Sequence, residues 1–471
     1  MSKGSAPRFI RLLRKYRDMQ MKKIRWLVLC ILALCLFIPV GIAERAIPDV
    51  LKVTQEVKCY RAKGYRIITY SELHSTREDV NDLINGRVAA LKEEAEAVVP
   101  EGRDYNKRCA HADIYTQITR TGDRWLSFHV CAQTSAKSSQ NWVKCEDYTY
   151  DMESGRLIRL GDIICEEGWE KLLHEIRIQV EESFPEDKPD EQALDAICSR
   201  ESLTEAGFIM TPGHLALFFP AADVYPAHAE ALLRVEIYVP ELWEILTEEG
   251  RKETDCTSYK LVALTYDDGP GKGTTRGVLS SSVRHPGQVT FFTTGHRLEE
   301  NAEMLHMEFD AGHSVQSHTW AHATKGVTPE KLTDWETQYN KAMGSIIGKL
   351  PIMMRPPGGN WRGYVNSGTE LAQILWDTNS TDSSAGEGKQ DMLGCCGRAS
   401  IACDGSIVLF HDVKIYAGDL AERSMRLFEQ ENMLIVTVND LCALRGISLK
   451  AGTVLQNCPP EEAEVSMQAH R

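Results

Sequence analysis

Two adjacent carboxylates, Asp267 and Asp268, stand at the end of a short apolar run, LVALTYDDGP at 261–270. Side by side they repel each other, so a metal, a proton or a cation has to separate their roles. His318 and His322 lie four residues apart in AGHSVQSHTWAH at 311–322. On a helix or a tight helical turn that spacing puts both imidazoles on one face, able to grip one metal ion. Asp268 completes a set of two histidines and a carboxylate, which suits zinc, iron, cobalt or nickel and leaves positions open for water and substrate. Arg355 heads the proline- and glycine-rich loop MMRPPGG at 353–359, where its guanidinium can hold a carboxylate by two bonds. Asp377 and Asp382 follow the apolar entry of ILWDTNSTDS at 374–383, and His411 ends the run GSIVLFHD much as Asp267 ends LVALTYD. Each feature alone has an ordinary reading, as a solvated turn or a pair of surface histidines. All of them in one domain argue for a metal-assisted site.

Such groups need strands to position them. The run LVAL has the length and composition of a buried parallel strand, and Gly269 and Pro270 end it and turn the chain. VTFFT at 289–293 and SIVLF at 406–410 supply further strands. They alternate with helical patterns at 330–347 and 420–431, which predicts a mostly parallel α/β fold with the site at the strands' C-terminal ends. The first helix after Pro270 reads as weak, because it contains Ser280, Ser281 and Ser282 and runs into Pro286.

The chain has 471 residues and a net charge of −14, with no basic excess to neutralise phosphates, so a nucleic-acid partner is not expected. Eight arginines and lysines between 8 and 25 precede an uncharged apolar run at 26–43. This reads as a cytoplasmic basic tail at 1–25 and a transmembrane anchor at 26–43, or a signal sequence cleaved near Ala43. Either way the remainder lies outside the cytoplasm, where twelve of the 14 cysteines, all but Cys30 and Cys35 of the apolar run, are permitted to pair. Residues 46–245 read as an α+β region: an extended piece at 65–70, a helix at 79–98 with Val80, Leu83, Ile84, Val88, Leu91 and Ala95 on one stripe, and alternating runs at 113–119, 125–131 and 148–160. A helix at 169–182 and a hairpin around 211–214 follow. The polar stretch 246–258 reads as a linker and 449–471 as a C-terminal tail. His111, His129, His174, His214 and His228 are scattered and form no catalytic constellation.

The second half resembles the NodB-type polysaccharide deacetylases, carbohydrate esterase family four, over about 259–448. TYDDGP stands for the family's TFDDGP, HTWAH for H-S/T-x-x-H, RPPGG for the arginine-proline loop and LFHD for L-x-H. The resemblance implies a distorted (β/α) barrel and an N-deacetylase. It implies Asp267 as catalytic base, Asp268, His318 and His322 as ligands of a divalent metal (zinc first, cobalt or nickel next), and Arg355 as the group holding the base. It further implies His411 as general acid, Asp382 as its orienting carboxylate, and the Gly358 N–H as an oxyanion donor. The family's D-x-x-D-W station departs here, since Asn379 and Ser383 stand where the first aspartate and the tryptophan would be. The stretches 150–164 and 208–242 resemble the beginning and end of the domain of RsiV-type anti-sigma factors, placing such an accessory domain at about 95–245. The substrate implied is a cell-wall glycan, most readily peptidoglycan with its N-acetylglucosamine and N-acetylmuramic acid. The competing class is a non-catalytic surface protein that binds cell wall or lysozyme; retention of the whole metal set argues against it.

Overall fold

The computed structural model describes residues 45–62, 66–98, 110–135, 142–271, 273–386 and 388–460. In the first half, alternating runs build a six-stranded sheet in the order β1 (Val53–Ala62), β2 (Arg66–Ser75), β3 (Ala110–Thr121), β4 (Trp125–Ser135), β5 (Val143–Asp151) and β6 (Arg156–Ile158). Neighbours are antiparallel except β2 and β3, which run parallel. The helix Glu78–Val98 makes that parallel pairing possible by carrying the chain back between them. It buries Val80, Ile84, Val88, Leu91 and Ala95 at helical spacing, while Leu83, expected on the same stripe, is 39% exposed. The expected hairpin opens a second, three-stranded antiparallel sheet of β7 (Ile209–Met210), β8 (His214–Pro220) and β9 (Leu232–Tyr238).

The stretch 246–258 is not an open linker. It contains the helix Glu248–Thr254, capped by the Thr247 hydroxyl, with Gly250, Glu253 and Thr254 buried. One of its charges is buried and paired: half-buried Arg124, in the turn between β3 and β4, bonds both oxygens of Glu253, at 2.9 and 3.0 Å.

The second half is a parallel sheet centred on β10 (Lys260–Asp267). Its other strands are β11 (Thr290–Thr293), β12 (Ser314–Ser317), β13 (Met353–Met354), β14 (Ala372–Ile374), β15 (Thr378–Asn379), β16 (Ser406–His411), β17 (Met433–Val436) and β18 (Val454–Leu455). The order is β15-β16-β10-β11-β12-β13-β14-β18, and β17 pairs with the first half of β10. Among the described residues no ladder joins β15 to β18, so the expected barrel is an open, curled half-barrel. The helix Thr274–Arg284 after Pro270 forms despite its serines. Ser281 Oγ donates to the Gly277 and Gly418 carbonyls at 3.1 and 3.0 Å, and a Cβ on Gly418 would lie 2.9 Å from Gly277 Cα. Close helix packing, which glycine and serine allow, adds to the buried apolar residues Val278, Leu279 and Val283.

The two halves share buried polar contacts. Arg234 Nη1 donates to the Phe309 and His313 carbonyls at 2.8 and 2.9 Å, Gln117 Nε2 to the Gly287 carbonyl at 2.6 Å, and His214 Nδ1 lies 2.6 Å from Asp440 Oδ1. Part of the expected tail belongs to the sheet as β18, and Cys458 beyond it is fully buried. The basic stretch 8–25 and the apolar run 26–43 lie outside the described residues. Among the described residues no helix is long and apolar enough to cross a membrane.

Candidate active site

Strand register assembles the site. Asp267 pairs with His411 across β10 and β16, and Ser317 pairs with Met354 across β12 and β13, so His318 and Arg355 leave their strands side by side. All of these groups stand at strand C-terminal ends, as the sequence reading required. Successive strand residues face opposite ways, so Asp267 and Asp268 would diverge if β10 simply continued. It does not: Asp268 has φ +77°, and the turned backbone brings both carboxylates towards His318. His318 Nε2 lies 3.4 Å from Asp268 Oδ1 and 3.7 Å from Asp267 Oδ2, and His322 Nε2 lies 3.1 Å from Asp268 Oδ1.

His318 and His322 reach this point from a loop. Neither a helix nor a helical turn carries them, because Thr319 and His322 both have positive φ (66° and 49°). The two imidazoles therefore reach Asp268 through a different local geometry from the one expected.

These three side chains fit a divalent cation. One ligand atom from each lies within 4.8 Å of the other two. Asp268 Oδ1 is buried and makes no hydrogen bond in spite of two imidazole nitrogens beside it. His318 Nδ1 lies 2.8 Å from the Arg355 carbonyl, which fixes that nitrogen as the protonated one and leaves the Nε2 lone pair for a metal. Burial pushes the Asp268 carboxyl up, but His318 and His322 more than reverse it and hold the group well below the ordinary carboxylate range. A second acidic-histidine group, Glu56, Glu72 and His74, is a poorer candidate, since the Lys58 ammonium already pairs with both glutamates.

Asp267 is held apart from this set by Arg355. The guanidinium is fully buried and donates through Nη1 to Asp267 Oδ1 at 2.8 Å and Thr265 Oγ1 at 2.6 Å. Nε donates to the Ile374 carbonyl at 3.1 Å and Nη2 to the Leu375 carbonyl at 2.9 Å. Burial pulls the Arg355 pKa down and the Asp267 charge opposes it; an arginine stays protonated in any case. The expected two-bond grip on the carboxylate is thus a single bond, with the rest of the fork spent on carbonyls and a hydroxyl.

His411 has Nδ1 2.9 Å from Asp382 Oδ1, and its backbone N–H donates to Asp382 Oδ2 at 2.8 Å. Burial lowers its pKa, and the hydrogen bond to Asp382 with the charges of Asp267, Asp382 and Asp268 raises it by more. Asp382 is fully buried and is also bonded by Ser380 Oγ at 2.9 Å. Asp377 does not join the site: it accepts from Ser406 Oγ and the Ile407 N–H at 2.9 and 3.0 Å, at the start of β16. Gly358 lies in the turn Pro357–Gly359 with φ +62°, a backbone shape that favours glycine.

Several contributors went unread in the sequence. Thr265 shares the face of Asp267 two residues earlier on β10, which the strand period could have shown. Asp412 is buried, receives the Thr275 hydroxyl, and burial pushes its carboxyl up to about 7. Tyr416 donates its hydroxyl to the Asp382 carbonyl at 2.6 Å, and Lys414 donates to the Ser383 carbonyl at 3.0 Å, so the loop that lacks the family's tryptophan is tied down from β16's far side.

An open parallel half-barrel with this constellation at its C-terminal edge defines a class. The family model described as polysaccharide deacetylase matches residues 254–374. Among curated proteins it is 27% identical over 319 residues to the peptidoglycan-N-acetylglucosamine deacetylase PgdA of Listeria monocytogenes, covering 63% of this chain and 64% of that one. It is 28% identical over 194 residues to the peptidoglycan-N-acetylmuramic acid deacetylase PdaC of Bacillus subtilis, covering 41% of this chain and 40% of that one. The chain thus spans less than two thirds of either relative. Among solved structures, Bacillus subtilis PdaC matches at 26% identity with a TM-score of 0.37, covering 40% of this chain and 92% of that chain.

Proposed function

We propose that this protein is a metal-dependent N-deacetylase of a cell-wall polysaccharide, with peptidoglycan as its substrate class and acetate as its product. The observation that carries the reading is the division of the two carboxylates. Asp268 faces His318 and His322, while Asp267 is bonded to a buried arginine at 2.8 Å and stays free of the ligand set. Asp268, His318 and His322 would hold the cation, zinc first and cobalt or nickel next. When bound it supplies Lewis acidity, lowering the pKa of a water and polarising a carbonyl oxygen.

The remaining steps belong to the protein. Asp267 takes a proton from the attacking water as general base, oriented by Arg355. The water oxygen adds to the acetyl carbon, and the Gly358 N–H helps hold the oxyanion, a donor worth about 3 kcal/mol in such sites. His411, kept charged by Asp382, gives its proton to the leaving nitrogen as the carbon–nitrogen bond breaks. Acetate and a free amino sugar result.

The names of PgdA and PdaC support peptidoglycan over other N-acetylated glycans. We read the chain as acting outside the cytoplasm, brought there by the run 26–43. The RsiV-type reading of 95–245 belongs to the same proposal; its two motif stretches form the β5–β6 and β7–β9 sheet segments. The test is acetate released from peptidoglycan and from chitooligosaccharides by the wild type and by Asp267→Asn. Release by the wild type alone supports the reading. A metal-loaded wild type that frees acetate from neither glycan would sink it.

A further inference from the structure

Cys442 and Cys458 have their sulfurs 3.9 Å apart, and both side chains are buried in the main apolar core with Leu261, Leu441 and Leu455. Independent anchors hold the two ends. Cys442 sits in the helix Val438–Leu444, whose first turn is capped by the Thr437 side chain. Cys458 follows β18 and donates its N–H to the Gly405 carbonyl at 2.8 Å; a Cβ on Gly405 would meet the Cys458 carbonyl oxygen at 2.0 Å, so only glycine lets the segment lie this close. We propose that Cys442 and Cys458 are a disulfide site, which staples the C-terminal edge strand β18 to the core of the half-barrel.

The geometry asks little of the protein. The sulfurs already face each other at 3.9 Å and have to close to the bonded distance of about 2.05 Å. The pair is separated by 16 residues in sequence, so the bond closes a short loop and removes the freedom of the edge strand in the unfolded chain.

The position has a consequence for the site. β18 pairs with β14, and the Leu375 N–H donates to the Leu455 carbonyl at 2.7 Å. The Leu375 carbonyl in turn accepts from Arg355 Nη2 at 2.9 Å, and Arg355 holds Asp267. An edge strand of two residues is thus the outer support of the arginine cradle, and a covalent tie three residues beyond it keeps that support in register.

The chemistry is thiol–disulfide exchange with an oxidised partner, either oxidised glutathione or the disulfide of a thiol oxidoreductase. One protein thiolate attacks that disulfide, forms a mixed disulfide and releases one thiol. The second protein thiolate attacks the mixed disulfide and releases the other. Two electrons pass from the cysteine pair to the partner, and two protons end on its thiols. Because both sulfurs are buried, exchange takes place while the chain folds or when β18 opens.

The test needs no glycan and does not depend on the deacetylase reading. The full chain is refolded with oxidised glutathione, its free thiols are alkylated in denaturant, and it is digested without reduction. The expected result is one peptide pair linked through Cys442 and Cys458, together with a lower thermal midpoint on reduction that Cys458→Ser shows without reductant. Recovery of both cysteines in alkylated form, or of either joined to another cysteine, would overturn the assignment. A linked pair whose reduction leaves the midpoint unchanged would overturn the stapling role. Cys131→Ser serves as a buried-cysteine control, and its reductant-dependent shift should match that of the wild type.

Discussion

Arg355 and Asp267 make a buried ion pair whose worth can be measured by a double-mutant cycle. The arginine side chain is 0% exposed and the aspartate side chain 4%, at 2.8 Å. At an effective dielectric near 20 their attraction is about 6 kcal/mol, most of it offset by desolvation of both charges. Arg355→Met leaves a buried carboxylate unpaired and strips the Ile374 and Leu375 carbonyls of their donors, a loss of roughly 3–5 kcal/mol in stability. Asp267→Asn keeps the shape and an acceptor oxygen but removes the charge; losing a charge-assisted hydrogen bond costs about 1.5–3 kcal/mol. In the double variant neither charge is stranded, so it should recover about 2 kcal/mol over Arg355→Met alone. Urea denaturation followed by tryptophan fluorescence reads all four proteins. Strict additivity of the two single changes would refute the pairing and with it the claim that Arg355 separates the base from the metal ligands. Both single variants should also lose acetate release by a factor of about 100 or more.

Three further outcomes follow from the same geometry. His318→Ala should abolish stoichiometric zinc binding, read by elemental analysis of dialysed protein; full retention of metal would remove His318 from the ligand set. His411 titrates above an ordinary histidine because Asp382 and the site's other carboxylates outweigh its burial. Activity needing its proton is therefore present at low pH and falls as pH rises through that raised pKa. Asp382→Asn should move this alkaline limb of kcat/KM to lower pH, and an unmoved limb would exclude His411 as the acid. Glu308 is fully buried with neither oxygen hydrogen-bonded among the described residues, and burial pushes its carboxyl well above the ordinary range. Its contribution to stability is complete below the ordinary carboxylate pKa and is lost as pH rises towards the folded value, by about 1.4 kcal/mol per pH unit. Glu308→Gln should flatten that slope in urea midpoints measured between about pH 5 and pH 8; an identical slope would contradict it.

Much of the site was legible because its parts are short, local patterns at strand ends. An apolar run stopped by Asp267, Asp268, Gly269 and Pro270 announces a strand terminus whatever surrounds it, and the same holds for His411. What brings the parts together is register, and no local pattern shows that β16 pairs Asp267 with His411. The histidine pair was legible in spacing and illegible in shape, because positive φ at Thr319 and His322 is set by tertiary fit. The linker reading of 246–258 misses its tertiary contacts for a related reason: the stretch is polar in sequence, yet Glu253 within it is buried and paired with an arginine 129 residues away. The serine-rich helix Thr274–Arg284 shows the reverse error, where small polar residues that weaken a helix in isolation permit its close packing on Gly418. Asp412 and Thr275 left no signal at all, since their partnership spans 137 residues.

The measurement that bears most directly on the central claim is mass spectrometry of peptidoglycan fragments after incubation with the protein in three states: zinc-loaded, chelator-treated and reloaded. Loss of acetyl groups from the glycan sugars with the loaded protein, none after chelation and recovery on reloading is the predicted result. Fully acetylated fragments in all three states, with zinc bound at Asp268, His318 and His322, would contradict the account.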